Sequence, residues 1–255
     1  MKEFIYSRNA VYETLRARRR QVFRLQVAEG VQEKGRLAQI IESAIQRKIT
    51  VERVPRAGLD KIHLNHQGVA LEASGYPYAE LTDIFELAES RDEPLFVLLL
   101  DALNDPQNFG ALLRTAEAVG VHGVVIPLRQ TVTVTPAVVN ASSGASEHLL
   151  IAQANLHQTI EALKEAGAWI VGLESGGQPE GRKQAQDQES IRLDGALGLV
   201  VGSEGEGMRP LVRQSCDLLM KLPMVGKIES LNAAVAGSVA LYLAYLARER
   251  KSKCE

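Results

Sequence analysis

Asn108 and Arg114, placed on either side of Gly110, are polar residues whose types and spacing could do chemistry. The stretch DALNDPQNFGALLRTAEAVG, Asp101 to Gly120, sets Asn108, Gly110 and Arg114 into an otherwise Ala/Leu-rich helix. Asp105 can cap that helix and Pro106 fits its first turn. Helical side chains lean toward the N-terminus, so Arg114 lies along the face of Gly110, which has no side chain to block it. The guanidinium then has a path to the helix start, where Asn108 sits, and the two can form a joint site. The structural alternative is a cap and a solvated surface charge.

A second segment, LVVGSEGEGM (Leu199 to Met208), places three glycines after an apolar run. Such glycines let a backbone approach a ligand closely or adopt positive φ. The spacing is not a dinucleotide fingerprint, and Glu204 and Glu206 would repel a pyrophosphate. A nucleoside without phosphates, or one carrying positive charge, is compatible. A third segment, LPMVGKIESLNAAVAG (Leu222 to Gly237), leads into the last helix, with Ser230 as its expected N-cap. Ser230 and Asn232 would stand at a helix start with unpaired N–H groups.

The elements that must carry these segments are legible from periodicity. Residues 1–78 read as a small α/β domain: RNAVYETLRAR and GRLAQIIESAIQRK as helices, VFRLQVA, ITVERV and GVALEAS as strands. Residues 79–93, ending in charge just before Pro94, read as a linker with room for a short helix. From Pro94 to Glu255 strands and helices alternate: LFVLLL, GVVIP, HLLIA, AWIVGL, LGLVVG and DLLMKL are strands separated by helical segments. That order predicts a parallel sheet covered on both faces, with ligands beyond the strand ends after Leu100, Leu173, Gly202 and Leu222. GGQPEGRKQAQDQES is a polar, Gly-rich loop.

Bulk properties restrict the function classes. The chain has 255 residues, 45% hydrophobic and 24% charged, as a soluble globular protein should. Its two cysteines, Cys216 and Cys254, make neither a disulfide framework nor a metal site, so a cytoplasmic setting is expected. MKEFIYSRNAVYETL is not a signal peptide. Leu231 to Ala247 is apolar but too short and too rich in Ala for a membrane span, and reads as a helix covered on every side, in the core or a subunit interface. Residues 1–79 carry 14 Lys+Arg against 8 Asp+Glu, and the remainder 15 against 23. The positive excess lies in RARRRQVFR, from Arg16 to Arg24, and suits a polyanion. No metal-ligand cluster exists, since His63 and His66 are too few.

NDPQNFGALLRTAEAVG, VVGSEGEGM and LPMVGKIESLNAAVAGSVALY, in this order, resemble the three signature motifs of the SpoU (TrmH) family. That family comprises S-adenosylmethionine-dependent RNA ribose 2′-O-methyltransferases of the SPOUT class. The resemblance covers residues 94–248. IYSRNAVYETL and HQGVALEA resemble the ribosomal-protein-like substrate-binding domain of the branch that methylates a guanosine of 23S ribosomal RNA. The family implies an α/β catalytic domain with a deep trefoil knot, no metal, and a homodimer with sites near the subunit interface. By the same resemblance, the donor's adenine lies among Gly202, Leu222 and Leu231, with Met224 and the loop after Leu173 nearby. Asn108, Arg114, Glu204, Ser230 and Asn232 form the polar site, with Asn108 and Arg114 facing a ribose.

The family mechanism makes Arg114's counterpart the general base. An arginine is effectively always protonated, so an electrostatic clamp on a phosphate and the developing alkoxide is the second reading. Arg8, Asn9, Arg18, Arg19 and Arg20 are expected to contact RNA backbone. Transfer RNA is the alternative substrate, and a non-catalytic RNA-binding or ribosome-assembly protein on the same scaffold is the alternative class. A nucleotide-dependent dehydrogenase lacks its glycine fingerprint here.

Overall fold

The computed structural model describes residues 2–174, 186–187, 192–228 and 230–252. The expected polar loop at 176–190, apart from Gln186–Asp187, and Cys254 lie outside the described residues. The chain forms two compact units, residues 1–77 with 133–148, and residues 78–132 with 149–255.

In the first unit, β1 (Lys2–Tyr6), α1 (Arg8–Ala17), β2 (Val22–Ala28), α2 (Arg36–Gln46), β3 (Thr50–Val54), α3 (Arg56–Asp60) and β4 (Val69–Ser74) follow one another. The four strands are ordered β1-β4-β2-β3; β4 is antiparallel to both neighbours and β2 is parallel to β3. The helix and strand segments read from periodicity fall where expected, and β1 and α3 add to them. The amphipathic α1 and α2 bury Val11, Leu15, Leu37 and Ile40. A later segment, residues 133–148, belongs to this unit and contains a short helix, Pro136–Ala141, and a 3-10 turn, Ala145–His148. Gly144 packs there against Glu13, where a Cβ would lie 2.5 Å from the Glu13 Cβ.

The second unit begins with α4 (Leu81–Ser90), whose Ile84 and Ala88 join its core. It continues through β5 (Phe96–Leu100), α5 (Pro106–Ala118) and β6 (Gly123–Ile126). The short Pro136–Ala141 helix counts as α6 in chain order. The unit resumes with β7 (Ile151–Gln153), α7 (Leu156–Glu165), β8 (Trp169–Glu174), β9 (Gln186–Asp187), β10 (Leu197–Val201), α8 (Pro210–Ser215), β11 (Leu218–Lys221) and α9 (Ala233–Ser252). Among the described residues the sheet has seven strands in the order β7-β6-β5-β10-β8-β11-β9, all parallel. Every residue of β5 and of β10 is buried, as central strands covered on both faces require. The order reverses between β5 and β10, the position where a doubly covered parallel sheet opens a crevice for a ligand.

The last helix departs from its expected cover. Ala240, Leu241 and Ala244 are buried, but Val235, Val239, Tyr242 and Leu246 form an exposed stripe at helical spacing. No helix among the described residues is long and apolar enough to cross a membrane.

Candidate active site

Three elements converge at the crevice beside β10. Asp105 caps α5, its carboxylate accepting from Gln107 N at 3.2 Å and Asn108 N at 3.1 Å. Pro106 occupies the first helical turn, where a missing N–H costs nothing. This fixes Asn108 at the helix start. After β10 the chain folds into a tight turn in which Ser203 and Gly207 exchange backbone hydrogen bonds of 3.0 and 3.1 Å. Gly205 and Gly207 have φ of 85° and 69°, a region that side chains disfavour. The turn presents Glu204 to the start of α9.

Glu204 Oε1 accepts from Asn108 Nδ2 at 3.0 Å, from Ala233 N at 3.3 Å and from Asn232 Nδ2. Asn232 Nδ2 also donates to Asn108 Oδ1 at 3.0 Å. The Asn232 Oδ1 accepts from Ala234 N at 2.9 Å and Val235 N at 3.2 Å, so Asn232 is the cap of α9. Ser230, the residue expected to cap, stands two positions earlier, exposed and beside the cavity. Asn takes the cap because the helix begins at Ala233, which puts its carboxamide opposite the first unpaired N–H groups. The Asn108–Glu204–Asn232 cluster thus ties one helix start, one turn and a second helix start together. The helices pack closely behind it: a Cβ on Gly237 would lie 2.6 Å from Leu112 Cδ2, and Thr115 Oγ1 meets Ser238 Oγ at 2.9 Å.

Beside the cluster lies a cavity of about 410 Å³ whose lining includes Leu173, Gly202, Leu222, Met224, Ser230 and Leu231. Loops after three of the four expected strands build it. Glu174 and Glu204 also line it, and among the described residues no Lys, Arg or His does. Glu174 is paired with Arg213 at 2.8 Å. A cavity of this size, with apolar walls and carboxylates, fits a small amphipathic ligand bearing positive charge. Arg114 does not line it and is exposed on α5, one turn beyond Gly110.

Sequence reasoning missed one pair at the crevice. Asp101, directly after β5, is fully buried and accepts from Arg209 N and Arg209 Nε, both at 2.7 Å. The signal available was an acidic residue ending an otherwise apolar run, LFVLLLD. Among the described residues no group of three or more His, Cys, Asp or Glu could hold a metal.

In the first unit the basic run divides. Arg18 and Asn9 are exposed, and Arg8 is half-buried, with its Nε donating to Gln67 O at 3.2 Å. Arg19 donates to the Tyr76 hydroxyl at 2.9 Å and to Pro77 O at 3.0 Å. Burial pushes the Tyr76 phenol up to about 12, so this hydroxyl stays neutral. Arg20 cannot contact RNA: its guanidinium is buried, paired with Glu147 through two bonds of 2.9 Å and with Glu3 at 2.8 Å. A buried arginine needs carboxylate partners, and residue 147 lies too far along the chain for a local pattern to show it. Arg24 is likewise engaged by Glu72 and Glu52 on the sheet.

Comparison with known proteins accounts for both parts of the chain. Residues 95–242 match the SpoU rRNA Methylase family, and residues 4–79 match a family described as RNA 2′-O ribose methyltransferase substrate binding. A Bacillus subtilis (strain 168) protein, YacO, described as a TrmH family tRNA/rRNA methyltransferase, is 44% identical over 250 residues, 96% of each chain. Among solved structures, the SpoU methyltransferase AviRb from Streptomyces viridochromogenes, in complex with AdoMet, has a TM-score of 0.77 at 21% identity, covering 98% of this chain and 91% of its own. An AdoMet-bound rRNA methyltransferase from Sinorhizobium meliloti has a TM-score of 0.74 at 23% identity, covering 95% and 86%. These two likenesses concern the fold. The extent of the family match and the identity to YacO establish that this chain belongs to the SpoU family and is an RNA methyltransferase.

Proposed function

We propose that this protein transfers the methyl group of S-adenosylmethionine to a ribose 2′-oxygen of RNA, and that the acceptor is a guanosine of 23S ribosomal RNA. The observation that carries the reading is the cavity behind Gly202: about 410 Å³, edged by Glu174 and Glu204, without a basic side chain among the described residues, and adjoining the Asn108–Glu204–Asn232 cluster. A sulfonium donor suits such a lining, whereas a pyrophosphate does not. Leu173, Leu222, Met224 and Leu231 supply apolar walls for the donor, and Gly202 supplies close backbone approach.

S-Adenosylmethionine supplies an activated methyl group, and the residues of this chain must present and deprotonate the acceptor. Asn108 and Asn232 spend most of their polar capacity on Glu204, on each other and on the α9 cap, so their role is to hold the two helix starts in register. The hydroxyl of Ser230 has no hydrogen-bond partner among the described residues and is available to the ribose. Arg114 faces the bound RNA, binds the adjacent phosphate and stabilises the developing alkoxide; the 2′ proton leaves through that phosphate or water. A protonated guanidinium performs this role without losing its proton. The family's knotted chain path and homodimer belong to the same reading, and the exposed stripe Val235, Val239, Tyr242 and Leu246 supports the dimer.

The ribosomal assignment is supported by the match of residues 95–242 to the SpoU rRNA Methylase family, and the ribose acceptor by the substrate-binding match over residues 4–79. Transfer RNA is the second reading, favoured by the shared tRNA/rRNA description of YacO. Methyl acceptance by large-subunit ribosomal RNA and by transfer RNA transcripts, measured in competition, separates the two. Label confined to one guanosine of the ribosomal transcript is expected, and label confined to transfer RNA would overturn the assignment.

A further inference from the structure

The catalytic unit has a second concavity at the same end of its sheet. It measures about 470 Å³ and is built by the loops after β6 and β7 and by the start of α8. Its lining includes Arg129, His157 and Arg209 and, among the described residues, no carboxylate. The donor cavity is the reverse, with two glutamates and no basic side chain among the described residues. Two cavities of opposite sign at one sheet edge fit two ligands of opposite charge.

The basic groups are arranged for a ligand. Buried Asp101 holds the backbone N–H and Nε of Arg209, which fixes the guanidinium and leaves both Nη groups without a partner among the described residues. The Arg129 side chain is exposed and likewise has no partner among them. Ser215 Oγ donates its one proton to Leu211 O at 2.9 Å, so it accepts from His157 Nδ1 at 2.8 Å. His157 Nε2 is then left for a ligand hydroxyl. Leu128 and Leu211, 64% and 56% exposed, give the groove apolar edges. Planar guanidiniums beside exposed apolar surface match the alternation of phosphate and sugar in a single RNA strand.

We infer that this groove binds the sugar–phosphate backbone of the substrate RNA next to the methylated nucleotide, with Arg129 and Arg209 each taking a phosphate. The inference rests on the RNA methyltransferase reading and adds a path for the strand. From β6 to β8 is three strand spacings, about 14 Å. The strand therefore crosses the start of α5, where Asn108 sits, on its way from the groove to the donor cavity. Arg209 follows the Ser203–Gly207 turn directly, so RNA bound in the groove bears on the same turn that presents Glu204.

The test is the salt dependence of binding to a large-subunit ribosomal RNA transcript, and in parallel to a transfer RNA transcript, by full-length wild type, Arg129→Ala and Arg129→Lys. Arg209 is left in place because buried Asp101 depends on it. Loss of one phosphate contact on a single strand lowers the log–log salt slope by about 0.7. Arg129→Ala is expected to show that decrease, with KM for RNA raised, kcat little changed and S-adenosylmethionine affinity unaltered; Arg129→Lys restores the slope. An unchanged slope and KM in Arg129→Ala, with wild type active, overturns the groove and leaves the methyltransferase reading standing. Wild type with no salt-dependent RNA binding overturns both.

Discussion

A methyl group at Gly202 would lie 2.3 Å from the carbonyl carbon of Gly207 and 2.4 Å from Met208 N. Both neighbours are backbone, so relief requires opening the turn that presents Glu204. Gly202→Ala is therefore expected to weaken S-adenosylmethionine binding at least tenfold, about 1.4 kcal/mol, read by calorimetric titration; unaltered affinity would remove the turn from the donor site. Arg114 stands outside that cavity, so its substitution separates the two ligands. Arg114→Ala and Arg114→Lys should each lower turnover on the order of a hundredfold or more while donor affinity holds, as loss of a transition-state contact does. Near-normal turnover in Arg114→Ala would contradict both the base and the clamp. These residues were legible in the sequence because glycine and capping residues mark strand ends. Asn232 was grouped with Asn108 and Glu204 from the sequence but not read as the cap, because the choice between Ser230 and Asn232 depends on where α9 begins, and that is set by Glu204 from 28 residues away.

At the scale of elements, buried polar pairs decide which segments belong together. Arg20 and Glu147 are both fully enclosed in the first unit, 127 residues apart in the chain. Removing Glu147 strips the buried guanidinium of two charged bonds and leaves it Glu3 and the Ser74 carbonyl, so the loss is held to the lower end of about 3–5 kcal/mol. Glu147→Ala should lower the denaturant midpoint accordingly, and an unaltered midpoint would show that the pair is dispensable. His122 provides a pH-dependent counterpart in the second unit. Its Nδ1 accepts from Phe96 N at 2.9 Å and its Nε2 donates to Glu93 Oε2 at 3.0 Å, the pattern of a neutral ring. Burial holds its pKa below the usual 6.5, against the opposing pull of Glu93. The unfolded chain therefore takes up this proton at higher pH than the folded one, and stability falls as pH drops below about 6.5 toward the folded value. Thermal midpoints compared between about pH 7.5 and 5.5 should fall more steeply for wild type than for His122→Asn; equal slopes would contradict this. Periodicity located most of the strands and helices, but not β1 or β9. It gave no sign that residues 133–148 pack in the first unit, because a short helix carries the same pattern wherever it docks.

For the whole molecule, the exposed stripe of α9 is the feature a single chain leaves unsatisfied. An apolar run that reads as covered on every side shows Val235, Val239, Tyr242 and Leu246 to solvent. A second copy is the cover that the family reading supplies. Tyr242→Glu should convert a dimer to monomer in sedimentation, and a wild-type monomer at working concentration would contradict the dimer. The fold class was legible because alternating strands and helices with fully apolar central strands have few solutions. The charge division was legible only as an average. The net positive N-terminal stretch contains Arg20 and Arg24 committed to carboxylates, while the net negative remainder contains an exposed Arg129 in a groove beside Arg209, whose Nε is held by Asp101. Composition counts charges; only tertiary structure says which are spent on partners.

The most direct test uses the chemistry of the product. A 2′-O-methyl group removes the nucleophile that alkali needs to cleave the adjacent phosphodiester. RNA labelled from methyl-tritiated S-adenosylmethionine by the purified protein, then hydrolysed in alkali, should carry its label in an alkali-resistant dinucleotide, and Arg114→Ala should leave the RNA unlabelled. Label recovered in mononucleotides would place the methyl group on a base and contradict ribose methylation.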